Sequence, residues 1–399
     1  MKARITRDFL VTVALLWLSG TGLRLTILAV PPVLPLIRSD LHLSATALGL
    51  LVSLPVALFS LAALPGSLLI ARLGILRTLT GGLLLVALGA ALRGAGTSAA
   101  ILFVATAVMG FGVAIMQPSM PVVARQWLPA HVGFATATYS NGLLIGQLVP
   151  TLLSKPLLAH WLHGNWRLSL AIWAIPVALT AVVVALLAPR PSRSPAAATA
   201  EKDLPAERPK WWPDWRRSLV WRLGIMLGSV NAMYFACNAF LPVYLVQAGR
   251  PDLVGSAVMG LNFGQIPGSF LLLIFAGTLE RRAWPYFAAG ALELFSVLGL
   301  VFAVGQWTVV YAGLLSFATG SILVLGLSLP PLLSSPGDVA RTSAAMFAIA
   351  YGGAVLVALV SGVLWDLAGI PRLAFGPISL CAILLVLSAM VMRRKRELL

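Results

Sequence analysis

Arg24 is the residue with the most chemistry to account for. It stands in the middle of an apolar run from Phe9 to Leu36, and a guanidinium does not lose its proton in a protein. Placing such a cation at the centre of a bilayer costs about 2.5–3.5 kcal/mol on insertion scales, so the side chain must face a polar cavity and not lipid. Its planar fork of donors suits a small planar or linear anion. A structural ion pair, or a guanidinium held by helix carbonyls, would meet the same requirement without a ligand. A second group is polar but uncharged. Asn231, Tyr234 and Asn238 are spaced at three, four and seven residues and so share one helical face, with Asn262 and Gln265 following in the next apolar run. Such side chains orient a ligand without adding charge; they also join membrane helices at about 0.6 kcal/mol per hydrogen bond. Singly they read as packing or binding, and as a cluster they read as substrate-binding.

Gln117, followed by Pro118 and Pro121, breaks one helix, and Tyr139, Asn141 and Gln147 add polarity to the next. Discontinuous helices line sites near the midplane of transporters, so Gln117 and Tyr139 join the candidates, with ordinary proline kinks as the alternative. Glu293 is an acid well inside an apolar run. It is open to three readings: a protonation site, a partner for Arg24, or a locally hydrogen-bonded neutral side chain that supports a peripheral helix. If Arg24 has no paired acid, its cavity stays positive and favours an anion. His42, His131, His160 and His163 fall at the ends of apolar runs and read as interfacial.

The elements that must position these residues follow from composition. With 399 residues, 59% hydrophobic and 10% charged, the chain is too apolar for an aqueous-facing surface, and its solvent must be the membrane. Unpaired backbone groups cost several kcal/mol in hydrocarbon, so only helices or closed barrels span it, and the continuous apolar runs exclude the alternation of a barrel. Breaking the sequence at charges, prolines and glycines gives twelve spans: 9–37, 44–70, 77–95, 98–121, 132–157, 167–188, 217–246, 252–277, 284–304, 307–330, 339–365 and 372–392. Most of the 28 Lys and Arg then fall on one face, while Arg38, Arg93, Lys155, Arg167, Arg250 and Arg372 fall on the other. That imbalance predicts cytoplasmic termini by the positive-inside rule. The net charge of +16 is thereby explained by topology, and no basic aromatic-rich face speaks for nucleic acid.

Residues 189–216 are rich in Pro, Ala and charge and read as a cytoplasmic linker between residues 1–188 and 217–392, with a basic tail at 393–399. Trp211, Trp212 and Trp215 read as anchors of that linker at the headgroup boundary, with a binding patch as the alternative. The two parts repeat weakly: Leu34-Pro35 matches Leu241-Pro242, and Gly66-Ser67-Leu68 leading to Arg72 matches Gly277-Thr278-Leu279 leading to Arg281. Cys237 and Cys381 lie in apolar runs and read as packing residues, with no metal spacing. No cleavable leader is expected, because the first apolar run is too long and lacks a cleavage site. There is no Walker sequence, nucleophile elbow, HExxH or nucleotide-binding glycine motif, so neither an enzyme, an ATP-driven pump nor a cofactor is expected.

Four stretches carry a family resemblance: GLRLTILAVPPVLPLIR at 22–38, GFGVAIMQPSMPVVARQWLP at 110–129, HGNWRLSLAIWAIP at 163–176 and GSVNAMYFACNAFLP at 228–242. With the six-plus-six arrangement, they make the chain similar to the major facilitator superfamily, and within it to the cyanate permease and 2-nitroimidazole transporter branch. The resemblance implies an all-α membrane fold of two pseudo-symmetric six-helix bundles and a monomeric secondary transporter of the bacterial inner membrane using alternating access. It places the first-helix arginine of that branch on Arg24, the seventh-helix Asn and Tyr on Asn231 and Tyr234, and the fourth-helix Gln on Gln117. Two positions depart from the pattern. The loop acid after the second helix is Ala71 here, while Glu280 keeps an acid in the other half, and the Asn often found two residues before the arginine is Gly22. The expected cargo is a small anionic or weakly acidic solute, cyanate-like. Export of drugs or nitroheteroaromatic compounds is the alternative within transport, and a non-transporting membrane sensor or scaffold the alternative outside it.

Overall fold

A computed structural model describes residues 7–189 and 210–398, so most of the expected linker lies outside the described residues. The first passage is α1 (Arg7–Gly22), an irregular turn over 23–30, a short 3-10 turn and α2 (Leu34–Leu41). The second is α3 (Ala45–Leu61) and α4 (Ala63–Leu73), bent by 52° at Ala62. The third is α5 (Ile75–Ala95), and the fourth is α6 (Ala99–Met116) with α7 (Ser119–Trp127). The fifth is α8 (Val132–His160), and the sixth is α9 (Trp166–Ala171) with α10 (Ala174–Leu187). The second bundle begins with α11 (Ser218–Gln247), then α12 (Val254–Phe263) with α13 (Gln265–Leu279), and α14 (Trp284–Phe302). It closes with α15 (Trp307–Leu333), α16 (Val339–Ala368) and α17 (Phe375–Arg394).

Among the described residues nine helical stretches are long and apolar enough to cross a membrane, ten if the bent α3–α4 pair is one span. The first and fifth passages fall short for a physical reason. The first is interrupted around Arg24, and α8 carries Thr136, Thr138, Tyr139, Ser140, Asn141 and Gln147, all buried. These two passages pack on each other. Their approach is set by glycine: a Cβ on Gly20 would lie 2.0 Å from the Tyr139 carbonyl oxygen, and one on Gly142 would lie 2.2 Å from that of Trp17. Only hydrogen at these positions lets the two backbones touch.

The interruption at Arg24 also follows from the sequence. Pro31 and Pro32 have no N–H to donate to carbonyls one turn back, so the preceding residues close into tighter turns, with Ile27 and Leu28 both donating to the Arg24 carbonyl. Arg93, expected at the membrane surface, is instead entirely buried, and its Nη2 donates to the Thr26 carbonyl at 2.7 Å. The carbonyl released by the broken helix needs a donor, and a long side chain from α5 supplies it. The expected break at Gln117 is present between α6 and α7.

The bundles meet where α3 and α4 lie against α16 and where α8 lies against α13 and α15. On the face that carries most of the arginines they are latched. Arg125, at the end of α7, donates from Nη1 at 2.6 Å to the carbonyls of both Pro331 and Ser334 at the end of α15, a cation on an open helix C-terminus. On the same face the Glu280 carboxyl sits against Gly133 at the start of α8. The opposite face has its own ties within each bundle. Arg167 pairs with Asp40 at 2.7 Å and Arg250 donates to the Ala303 carbonyl at 2.8 Å.

Candidate functional site

The broken turn of the first passage puts Arg24 at the meeting of the bundles, 7% exposed. Its Nη2 donates to the Tyr351 hydroxyl at 3.0 Å, and its guanidinium carbon lies 5.4 Å from the Phe59 ring centre and 5.9 Å from that of Phe235. Aromatic faces stabilise a cation by about 0.5–2 kcal/mol without neutralising it. No carboxylate pairs with Arg24 among the described residues. Among the described residues the ring cage and one neutral hydroxyl are what faces this charge.

A small cavity opens beside it, lined by Arg24, Leu143, Gln147, Asn231, Tyr234, Gln265 and Thr319 among others. Its volume of about 20 Å³ is the room one water needs. Asn231 and Gln265 each present an amide nitrogen there, Nδ2 and Nε2, buried and without a well-formed hydrogen bond among the described residues, the Gln265 amide standing beside the Tyr234 hydroxyl. Three N–H-bearing side chains thus converge on one space with no protein acceptor assigned to two of them. Buried donors are almost always satisfied in folded proteins, so this arrangement asks for an acceptor-rich guest.

Asn262 and Asn238 stand one layer behind. Tyr234 receives a hydrogen bond from Gln147 Nε2 at 2.7 Å and donates to Asn262 Oδ1 at 2.7 Å; Asn262 donates to Asn238 Oδ1 at 3.2 Å, and Asn238 returns to the Tyr234 carbonyl at 2.9 Å. This closed chain fixes the Tyr234 ring and links α8 of one bundle to α11 and α12 of the other. Gln117 and Tyr139 are buried but lie outside the cavity wall. Glu293 is fully buried in α14, also away from the cavity, and neither carboxyl oxygen has a partner among the described residues. The local hydrogen bonding expected of it is absent; the nearby Cys237 and Cys381 thiols are too weak as donors to provide it. It does not pair with Arg24.

Tyr351, Phe59, Phe235 and Thr319 were not among the residues singled out by sequence. Tyr351, a lone phenol in the apolar α16, was the one legible signal.

A sequence model described as "Major Facilitator Superfamily" matches residues 16–291. The chain belongs to that superfamily. This facilitator is 28% identical over 355 residues to the cyanate transport protein CynX of Escherichia coli K12, covering 88% of this chain and 89% of that one. It is 26% identical to the 2-nitroimidazole transporter of the same organism, over 85% of this chain and 84% of that one. An uncharacterized transporter of Bacillus subtilis, YycB, is 26% identical over 82% and 79%. The facilitator's fold is close to that of the transporter FucP, whose structure is in the outward conformation, with a TM-score of 0.69 at 17% identity over 96% and 99% of the two chains. It is likewise that of the proton:xylose symporter XylE, at 0.74 and 13% over 96% and 95%. The facilitator is thus a multi-pass membrane transporter of two six-helix bundles.

The latch on the basic face is also titratable. Burial against Gly133 pushes Glu280 up to about 7, with Arg281 and the Ser328 hydroxyl pulling it back. In the closed contact the carboxyl therefore keeps its proton up to about pH 7, whereas once solvated it would release it near its ordinary value of 4.5. The contribution is fully present below about 4.5 and is lost as pH rises through about 7. Wild type and Glu280→Gln should unfold at similar temperatures near pH 5, with wild type losing more as pH is raised toward about 8.5. Parallel melting curves would refute this assignment.

Proposed function

We propose that this facilitator carries a small anionic or weakly acidic solute, cyanate-like, across the bacterial inner membrane by alternating access, with Arg24 as the anion anchor. One observation carries the reading: a permanent cation, buried between the bundles with no carboxylate partner among the described residues, borders a cavity into which Asn231 Nδ2, without a partner among those residues, and the Gln265 amide beside the Tyr234 hydroxyl both bring donors. A negative guest supplies both the missing charge and the missing acceptors. Asn231, Tyr234 and Gln265 contact it, while Asn238 and Asn262 hold Tyr234 in place. Gln117 and Tyr139 act on the shape of the first bundle, and Glu293 serves its own bundle. The moving parts are residues 1–188 and 217–392, and the basic face, latched here, is the cytoplasmic one that carries both termini. A triatomic anion exceeds the room of about 20 Å³ in this conformation, so loading accompanies widening of the cavity as the bundles rock.

Relatives that are a cyanate transport protein and a 2-nitroimidazole transporter support a small, polar, planar cargo. The second of them, with the Phe59, Phe235 and Tyr351 rings around Arg24, favours export of planar nitroheteroaromatic compounds as the other reading. Flux into liposomes containing the purified protein separates the two. Uptake of radiolabelled cyanate above that of protein-free liposomes, blocked by other small anions and not by neutral nitroimidazole, supports the anion reading; the reverse pattern supports the second.

A further inference from the structure

A second cavity, sharing no lining residue with the one beside Arg24, lies on the basic face. Its volume is about 530 Å³, within the range of small-molecule sites. Arg72 and Ala71 at the end of α4, Arg341 at the start of α16, and Lys210, Trp211 and Trp212 before α11 line it. The segment that brings the tryptophans is fixed in place, for Ser67 donates to the Trp211 carbonyl at 2.9 Å. Among the described residues the two arginines of the lining are not fully neutralised. Arg341 leans on Asp338 at 2.6 Å, but Asp338 also serves Arg217 at 3.2 Å, so one carboxylate is divided between two arginines. Arg72 is exposed and has no carboxylate partner among the described residues.

The two bundles treat this position differently. At the end of α13 the pair is Glu280-Arg281, and the acid reaches the opposing bundle at Gly133. At the end of α4 the pair is Ala71-Arg72, which faces Arg341 of the opposing bundle, with cations on both sides and no acid in the lining among the described residues. Held together unaided, these groups repel.

We propose that this pocket binds a phosphate-bearing anion, the headgroup of an anionic membrane lipid, which bridges Arg72, Lys210 and Arg341 and joins the bundles where the chain carries Ala71. The place favours a lipid over a solute. The cations sit at helix ends on the basic face, and Trp212 is 52% exposed beside them, the mix of Arg, Lys and Trp that meets headgroups. Basic pockets between membrane helices take such headgroups, each cation adding to the attraction. The inference does not depend on what Arg24 binds.

The test uses the full-length purified protein in a neutral detergent, titrated with phosphatidylglycerol, with phosphatidylcholine or with inorganic phosphate while thermal unfolding is followed. Phosphatidylglycerol should raise the unfolding temperature saturably and phosphatidylcholine should not. Arg72→Gln and Lys210→Gln should each weaken half-saturation about fivefold, whereas Arg77→Gln, an arginine outside the pocket, should change it less than about twofold. Lys210 precedes the helices, so its variant keeps the test open if Arg72→Gln folds poorly. If inorganic phosphate protects in the same variant-dependent way, the phosphate site stands with solution as its source. Equal protection by phosphatidylcholine, or unchanged response in both pocket variants, would overturn the proposal.

Discussion

Arg24→Lys should cut cyanate uptake per unit of half-saturating concentration at least about thirtyfold while leaving the protein folded, and Arg24→Ala should do the same or worse. Losing hydrogen bonds from a charged, planar donor fork costs about 1.5–3 kcal/mol, and each 1.4 kcal/mol is a factor of ten. Lysine keeps the charge but replaces the fork with a point charge that cannot match a planar anion along one edge. The Tyr351 hydroxyl and the rings of Phe59 and Phe235 hold the guanidinium plane in place, so geometry as well as charge is set by the protein. Uptake by liposomes matched for protein content, with melting curves as the control for folding, reads the effect. Full uptake by both variants would remove Arg24 from the site.

The second large effect lies in the backbone contact that holds the Arg24 turn. Gly20→Val and Gly142→Val should each abolish uptake and lower the unfolding temperature by several degrees. A Cβ at either position would sit 2.0 Å or 2.2 Å from a carbonyl oxygen, and that oxygen belongs to a helix backbone that cannot step aside as a side chain would. Overpacking of this kind costs typically about 1–3 kcal/mol and displaces the elements that clash. Here the displaced element ends in Arg24, so transport should fail even where folding survives. Gly81, with nothing within 4 Å of its would-be Cβ, provides the comparison: Gly81→Ala should melt and transport like wild type.

The spans were legible in the sequence because hydrocarbon imposes one rule on every residue of a crossing helix, and apolar length is easy to count. Arg24 was legible for the complementary reason, as a charge breaking that rule. What could not be read was the direction each side chain takes. A helix with lipid on one side and protein on the other is apolar all round, so its pattern does not reveal the inward face. Asn231, Tyr234 and Gln265 reach the cavity, yet Tyr139 and Gln117 are buried outside its wall. Arg93 reads as a surface arginine because it sits in the last turn of α5; the loose Thr26 carbonyl in the broken turn of the first passage draws it inward. Tyr351 comes to Arg24 from a helix more than three hundred residues away in sequence, a pairing that no local spacing encodes.

Direct binding to purified protein tests the anion site most simply. Cyanate, thiocyanate and neutral 2-nitroimidazole would be titrated into wild type and Arg24→Ala while heat release and thermal unfolding are measured. Wild type should bind the two anions saturably, with a stabilised fold, and the variant should lose both signals. Anion binding undiminished in Arg24→Ala, or a wild-type protein that responds to the neutral compound alone, would overturn the role of Arg24 as anion anchor.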